Sequence, residues 1–365
     1  MSENVSRKIG VVTGGGDCPG LNAVIRAVAK AAAKRGWECI GILGGYEGLL
    51  EPRQTRPLDY HSLGGLLTRG GTILGTANRG KFASKTGHGT SRALPKKLLD
   101  GVKAGMDALG LAALVSIGGD GSLSIAQQLH EHGVPVVGVP KTIDNDLAGT
   151  LMTFGFDSAV ACATDALDRL HTTAESHNRV MVLEVMGRYA GWIALYAGVA
   201  GGADVILIPE IPFTYESIVA KIREREARDK KFTLVVVAEG AREKGKEFVT
   251  SADQEANREA RLGGVGGVVA AEIEERTGKE TRNCVLGHLQ RGGSPTTFDR
   301  ALCSMFGATA VELIAAGDFG KMMAFTGSGV SAIKISDSIG RLKTVPPEGN
   351  LARTARALGI SMGDG

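Results

Sequence analysis

The sequence predicts a doubly wound α/β protein built from two domains. Three observations carry that expectation. The chain has 365 residues, enough for two units that each bury a core of their own. Its apolar runs are short and continuous rather than alternating, which marks strands covered on both faces, as in parallel sheets. Helical stretches separate those runs, and repeated strand–helix alternation is the pattern of open α/β sheets.

In chain order, residues 9–13 open the series as a strand and 21–35 follow as a helix. Residues 39–43 form the second strand. A helix at 95–109, a strand at 113–117 and a helix at 122–132 come next; Leu123, Ala126, Gln127 and Leu129 keep helical spacing in the last of these. A strand at 135–139 precedes a helix at 157–173. Strands at 180–185, 205–208, 233–238 and 284–286 then alternate with helices at 215–228, 261–277 and 299–316. Residues 346–349 read as a loop before a C-terminal helix, and the charged run 221–231 as a solvated helix face. A domain boundary is expected near 150–156, where two motif-rich loops end and a helix begins.

Composition narrows the function. Forty-two Lys+Arg against thirty-nine Asp+Glu leave +3, with 43% hydrophobic and 22% charged residues. That is ordinary globular composition, not a disordered chain, and it gives no field that would make nucleic acid or an anionic membrane the partner. Fifty-three glycines are about twice the usual share; without a collagen period they belong in turns and ligand loops. Residues 1–8 lack the apolar run of a signal peptide, and no stretch reaches the roughly 18 apolar residues needed to cross a bilayer. Cys18, Cys39, Cys162, Cys284 and Cys303 are scattered without a CxxC pair. A zinc site or disulfide framework is therefore not expected, and a reducing cytoplasm is.

In open α/β sheets, ligands bind beyond the carboxyl ends of the strands, so the loops there carry the argument. Gly14-Gly15-Gly16-Asp17-Cys18-Pro19-Gly20 follows the first strand and opens a helix. Glycines let backbone N–H groups turn toward a phosphate, and the helix N-terminus adds a positive dipole end. Neither the GxGxxG nor the GxxxxGK[ST] pattern is met, and a plain tight turn is the bland reading. Gly118-Gly119-Asp120-Gly121-Ser122 repeats the geometry with an acid inserted. Bare backbone around Asp120 leaves room for a triphosphate, and its carboxylate can hold a bridging Mg²⁺. Ser122 reads most simply as a helix N-cap.

Pro140-Lys141-Thr142-Ile143-Asp144-Asn145-Asp146 ends the next strand. In an extended segment Thr142, Asp144 and Asp146 point one way, because side chains alternate. One hydroxyl and two carboxylates then line a wall suited to taking a proton from an alcohol beside a metal, with Asp144 the natural base. The competing reading is an Asx-rich turn. Phosphoryl transfer also needs cations. Arg179, Arg188, Arg282 and Arg291 all lie at predicted strand ends, and His288-Leu289-Gln290-Arg291-Gly292-Gly293 sets an imidazole and a guanidinium three residues apart. Met186-Gly187-Arg188 repeats the glycine–arginine pairing, and Glu239-Gly240 offers a carboxylate for sugar hydroxyls.

Taken together these loops resemble the phosphofructokinase A family, from about Lys8 to about Gly340. The carriers, in order, are GGGDCPGLNAVIR, GGDGS, KTIDND, SHNR, EVMGRYAG and GHLQRGGSP. The resemblance implies two three-layer αβα domains with the active site in the cleft between them. An ATP/Mg-binding domain would span 1–155 plus 290–345, and a sugar-phosphate-binding domain 156–289 plus 346–365. It implies a glycolytic kinase that moves the γ-phosphoryl group of ATP to the 1-hydroxyl of fructose 6-phosphate, with Mg²⁺ as cofactor. Asp144 lies where the family has its proton acceptor, with Thr142 and Ile143 beside it at the sugar and Lys141 and Gly121 grouped with the catalytic set. Asp120 matches the metal ligand. Gly15, Gly119, Gly121 and Ser122 match the nucleotide-phosphate loops, and Tyr46 the residue flanking adenosine. Asn78 stands where the family often has an arginine, and Arg79 follows it. Met186, Gly187, Arg188, Glu239, His288, Leu289, Gln290 and Arg291 match the sugar-phosphate pocket. Arg179 and Arg282 match arginines that reach across from a neighbouring subunit, which implies a homotetramer, or at least a dimer, with shared active sites.

Two features bear on donor and control. Gly121 stands where pyrophosphate-using members carry Asp, which leaves the ATP α-phosphate space open, whereas Lys141 stands where those members have lysine. That combination resembles the mixed-substrate subgroup, and ATP is the expected donor, with pyrophosphate the alternative. Arg26, Arg53, Arg228, Lys230 and Lys231 lie near effector positions. His171 replaces an arginine there and Asp204 a glutamate, so the family's effector site is only partly kept and its control is not assumed. A sugar-phosphate-binding regulatory subunit without catalysis is the reading from another class; the presence of Asp120, Asp144 and Asp146 argues against it. An NAD or lipid kinase with a GGDG loop would lack the TIDND and GHLQRGG strings.

Overall fold

The computed structural model describes residues 7–77, 80–82, 93–246 and 264–365. The chain forms two compact units. The first comprises Met1–Ile143, Leu147–Asp157 and Arg291–Arg341; the second comprises Asp144–Asp146, Ser158–Gln290 and Leu342–Gly365. The three residues Asp144–Asp146 thus group with the second unit although their chain neighbours belong to the first.

The first unit is built on a seven-stranded sheet. β1 (Lys8–Thr13), β2 (Glu38–Ile42), β4 (Leu111–Gly118), β5 (Val136–Pro140) and β10 (Lys321–Phe325) run parallel, and β3 (Thr55–Pro57) and β11 (Val330–Lys334) add an antiparallel strand at each edge. The order is β11-β10-β5-β4-β1-β2-β3. Burial explains the continuous apolar runs. Every residue of β5, and all but Ala112 of β4, is buried, as helices on both faces require. Val12, Ile42, Leu114, Leu123 and Val136 sit in one core cluster. The helices are α1 (Leu21–Lys34), α2 (Lys96–Leu109), α3 (Asp120–Glu131) and α8 (Thr297–Ala316), with α1 packed on α8. Thr296 caps α8 by accepting from the Asp299 N–H at 3.3 Å.

The second unit holds a four-stranded, all-parallel sheet. Its strands are β6 (Val180–Val185), β7 (Val205–Leu207), β8 (Thr233–Ala238) and β9 (Thr281–Val285), in the order β7-β8-β6-β9. Val182, Val235, Ile218 and Val269 belong to its own core. Its helices are α4 (Phe156–His177), whose first two residues count with the first unit, α5 (Trp192–Ala200), α6 (Tyr215–Ala227), α7 (Val265–Thr277) and α9 (Asn350–Ala357).

The chain is α/β and doubly wound, as expected. Several elements go beyond the sequence reading. β3, β10 and β11 are short strands at or beside the sheet edge; β11 alternates only weakly between half-buried and exposed residues, so no continuous run announces it. The helix α5, WIALYAGVA, is apolar nearly all round, and a helix without a polar face shows no helical period. The helix expected at 122–132 begins two residues earlier, with Gly119 as its N-cap. Ser122 is therefore not the cap but a buried residue of the first turn. Residues 261–263 of the expected 261–277 helix lie outside the described residues; the helix itself starts at Val265.

Topology places the loops. In the first unit the chain leaves β1 for β2 on one side and reaches β4 and β5 on the other, so the winding reverses between β1 and β4. In the second unit it reverses between β6, whose successors lie on the β8 side, and β9. Ligand sites of open α/β sheets lie at such reversals, at the carboxyl ends of the strands.

Candidate active site

In the first unit the loops after β1 and β4 come together. A Cβ built on Gly14 would fall 2.5 Å from Ser122 Oγ, and one on Gly16 would fall 2.1 Å from Arg291 Nη1. The glycines are the condition for that approach, since any side chain would need the space these polar groups fill. Gly15 takes the left-handed φ of 77° between them. Lys141, buried, donates from Nζ to the Gly16 carbonyl. Gly119 lies against the Lys141 carbonyl, 3.2 Å from a built Cβ. Two glycine loops, one ammonium and one guanidinium therefore share a small volume. Arg291 Nε is buried with no hydrogen-bond partner among the described residues, as expected for a donor that awaits an anion.

Asp120 starts α3, with Gly121 behind it in the first turn. Its Oδ1 accepts from the Gly340 N–H at 2.8 Å. Among the described residues no group of three or more His, Cys, Asp or Glu could hold a metal. A single carboxylate beside two glycine loops does fit Mg²⁺, which is usually held by one or two carboxylates with the remaining positions filled by water and substrate phosphates. The donor set thus suits a metal that arrives with phosphates. Tyr46 lines the same pocket as Gly14, Gly15 and Ser122. Its ring is buried beside Phe82, and its hydroxyl meets Ser116 Oγ at 2.5 Å and donates to the Ser122 carbonyl at 2.9 Å. Burial pushes that phenol well above its ordinary range, so it stays neutral and braces the first turn of α3. Asn78 and Arg79 lie outside the described residues.

The acid loop combines both sequence readings. It turns at Ile143–Asp144, and Asn145 takes a left-handed φ of 52°. Exposure nevertheless alternates: Lys141, Ile143 and Asn145 are buried, whereas Thr142, Asp144 and Asp146 are half-exposed. The Thr142 carbonyl accepts from Thr153 Oγ1 at 2.6 Å, which fixes the start of the loop.

In the second unit, three loops at the carboxyl ends of β6, β8 and β9 are bound to one another. Gln290, fully buried, donates to the Gly287 carbonyl at 3.1 Å and accepts from the Met186 N–H at 3.3 Å. The Glu239 N–H bonds the Val185 carbonyl at 2.8 Å and the Gly240 N–H the Gly187 carbonyl at 3.2 Å. A Cβ on Gly240 would meet the Arg188 carbonyl at 1.9 Å. Met186 is buried, while Arg188 and Glu239 are half-exposed and His288 and Leu289 exposed. Gln290 is thus occupied by backbone ties. Arg179 and Arg282 converge on Glu280, at 2.7 and 2.5 Å; the Arg179 guanidinium holds the Glu280 carboxyl below its usual range.

The sequence alone assigned no role to several buried acids that hold loops in one unit or the other. Glu184, buried in β6, accepts from the Gly264 and Gly266 N–H groups at 3.1 and 2.7 Å, at the start of α7. Glu210 accepts from Gly191 at 3.1 Å and from Val345 at 2.7 Å, and burial raises its pKa. Asp299 is buried and accepts from Gly155 at 3.0 Å. An acid inside an otherwise apolar strand was the available signal for Glu184; the others had none.

A family profile described as Phosphofructokinase matches residues 8–314. The ATP-dependent 6-phosphofructokinase of Chloroflexus aggregans is 54% identical over 358 residues, 98% of either chain. The pyrophosphate–fructose 6-phosphate 1-phosphotransferase of Amycolatopsis methanolica is 50% identical over 343 residues, 93% of this chain and 97% of that one. Among solved structures, phosphofructokinase from Saccharomyces cerevisiae matches with a TM-score of 0.77 at 29% identity. That match covers 91% of this chain and 45% of the yeast chain, so this chain spans less than half the yeast chain's length.

Proposed function

The chain belongs to the phosphofructokinase family, and we propose that it is an ATP-dependent 6-phosphofructokinase, a phosphotransferase that converts fructose 6-phosphate to fructose 1,6-bisphosphate. The observation that carries this reading is the gathering of two glycine loops with Lys141, Arg291 and Asp120 in the first unit. Backbone N–H groups and cations so placed suit a polyphosphate, and transfer of a phosphoryl group depends chiefly on position and charge.

The residues divide the work. The glycines at 14–16 and 118–121 bring backbone to the donor phosphates, and Lys141 and Arg291 offset their charge. Asp120 would hold Mg²⁺, which when bound would offset charge on the donor phosphates. Arg188 and His288 take the sugar phosphate, and Glu239 the sugar hydroxyls. Asp144 accepts the 1-hydroxyl proton as that oxygen bonds the γ-phosphorus; the bond from phosphorus to the bridging oxygen breaks and ADP leaves. Asp146 and Thr142 share the half-exposed side of the loop with Asp144 and orient it. Arg179 and Arg282 serve a neighbouring subunit's site in a homotetramer. No helix among the described residues is long and apolar enough to cross a membrane, and we assign the enzyme to the cytoplasm.

Lys141 is the residue that raises pyrophosphate as donor. Its ammonium is bonded to the Gly16 carbonyl, and we assign it to holding the glycine loop while it offsets donor charge, tasks that ATP and pyrophosphate both permit. Gly121, standing where an aspartate marks pyrophosphate-using members of the family, supports ATP. The test is turnover of fructose 6-phosphate by the purified chain with ATP, ADP or pyrophosphate and Mg²⁺. ATP should give the highest kcat/KM. Turnover with pyrophosphate alone would overturn the donor assignment, and turnover with none of the three would leave a sugar-phosphate-binding subunit.

A further inference from the structure

A short strap after β11 ties the acid loop to the rest of the second unit. The backbone N–H of Lys343 donates to the Asp146 carbonyl at 2.9 Å, and its ammonium donates to Asn145 Oδ1 at 2.8 Å. The Lys343 carbonyl accepts from Trp192 Nε1 at 2.8 Å, and the ammonium lies 5.9 Å from the Trp192 ring centroid. Two residues on, the Val345 N–H donates to Glu210 Oε1, and the same carboxylate takes the Gly191 N–H. The strap therefore grips Asn145 and Asp146 at one end. At the other it is fixed, through Glu210, to the end of the loop that carries Arg188.

We propose that Lys343 is a positioning residue for phosphoryl transfer: by gripping Asn145 it fixes the direction of Asp144 and Asp146 on either side. The proposal rests on reading Asp144 as the proton acceptor. Asn145 is the hinge of the loop, a buried residue with φ 52°. Asn tolerates that conformation better than most residues but still needs a local hydrogen bond to hold it. A charge-assisted bond from an ammonium is stronger than a neutral one, and here it acts on the residue that separates the two acids. Burial works against the ammonium and pushes its pKa down to about 8, with Asp146 opposing the shift. A methionine in the strap would avoid that cost; what the charge adds is its hold on the acid loop.

The test is steady-state kinetics of the full chain carrying Lys343→Met, Lys343→Arg, Asn145→Gly and the Lys343→Met/Asn145→Gly pair, with melting temperatures alongside. Misplacing a proton acceptor should lower kcat about tenfold or more in Lys343→Met and Asn145→Gly while KM for both substrates stays within about threefold. Lys343→Arg should recover most of the loss. The double variant should be no slower than the slower single one, because both remove one tie. If Lys343→Met does not fold, Asn145→Gly, whose new residue adopts the same φ freely, is read by the same kcat criterion. A folded Lys343→Met with kcat within about twofold of the parent, or losses that multiply in the double variant, overturns the proposal. A parent chain inactive with every donor would take the functional reading down as well; an active parent with an indifferent Lys343→Met removes the positioning role alone.

Discussion

The two units build their loops with different emphases. In the first, space comes from absent side chains: Gly14 makes room for Ser122 and Gly16 for Arg291. In the second, loops are held by buried polar side chains: Glu184 on the start of α7, Glu210 on Gly191 and Val345, Gln290 on Met186. The difference follows from the ligands proposed for each. A polyphosphate is read by backbone N–H groups, which must be bare to approach it. A sugar phosphate is read by a few side chains, which must be aimed, and aiming takes a supporting layer of satisfied hydrogen bonds.

That contrast can be broken in four places. The largest effect belongs to the acid loop. Asp144→Asn should lower kcat by on the order of 10²–10⁴, while fructose 6-phosphate binding, measured by calorimetry, stays within about threefold. Near-normal turnover would remove Asp144 as proton acceptor. Next comes Gly240→Ala. Its methyl would meet the Arg188 carbonyl, and backbone cannot yield as a side chain does. KM for fructose 6-phosphate should rise about tenfold with KM for ATP unchanged; a rise in both would show that the second unit's loops do not act on the sugar alone.

The third test concerns stability. Glu184→Ala leaves two N–H groups at the start of α7 without their acceptor, and each buried loss costs on the order of 1–3 kcal/mol. A fall of about 3 kcal/mol in urea unfolding is expected, and Glu184→Gln, which keeps one acceptor, should lose less. The smallest effect is in pH. The pKa of Lys343 is about 8 in the folded chain and about 10.4 in an unfolded one. Between those values the unfolded chain holds a proton that the folded chain lacks, so stability contributed by this group rises with pH across that window. Below pH 8 both states are charged and the burial penalty is present in full. The urea midpoint of the parent should therefore gain on that of Lys343→Met from pH 8 to pH 10; a parallel course would show that Lys343 is not buried as described.

Much of this was legible in the sequence, and the reason is physical. Strands covered on both faces, such as β4 and β5, must be continuously apolar, and they were found within a few residues. Loops whose work is done by backbone leave glycine clusters that nothing else explains, so the cradle of Gly14–Gly16 and Gly118–Gly121 stood out. The edge strands β3 and β11 left no comparable pattern, because one side of each has no strand to pair with. α5 hid because a helix apolar nearly all round has no polar face to mark a period. Lys343, Glu210 and Asp299 were invisible for another reason: a lone charged residue does not disclose its partner, and theirs lie from 19 to 198 positions away in the chain.

The division of labour itself is tested most directly by titrating Gly14→Ala with ATP and with fructose 6-phosphate in turn. The added methyl would press on Ser122 Oγ in the first unit. The account predicts ATP affinity weakened about tenfold or more, with fructose 6-phosphate affinity unchanged within about twofold. Unchanged ATP affinity, or an equal loss for both ligands, would contradict it.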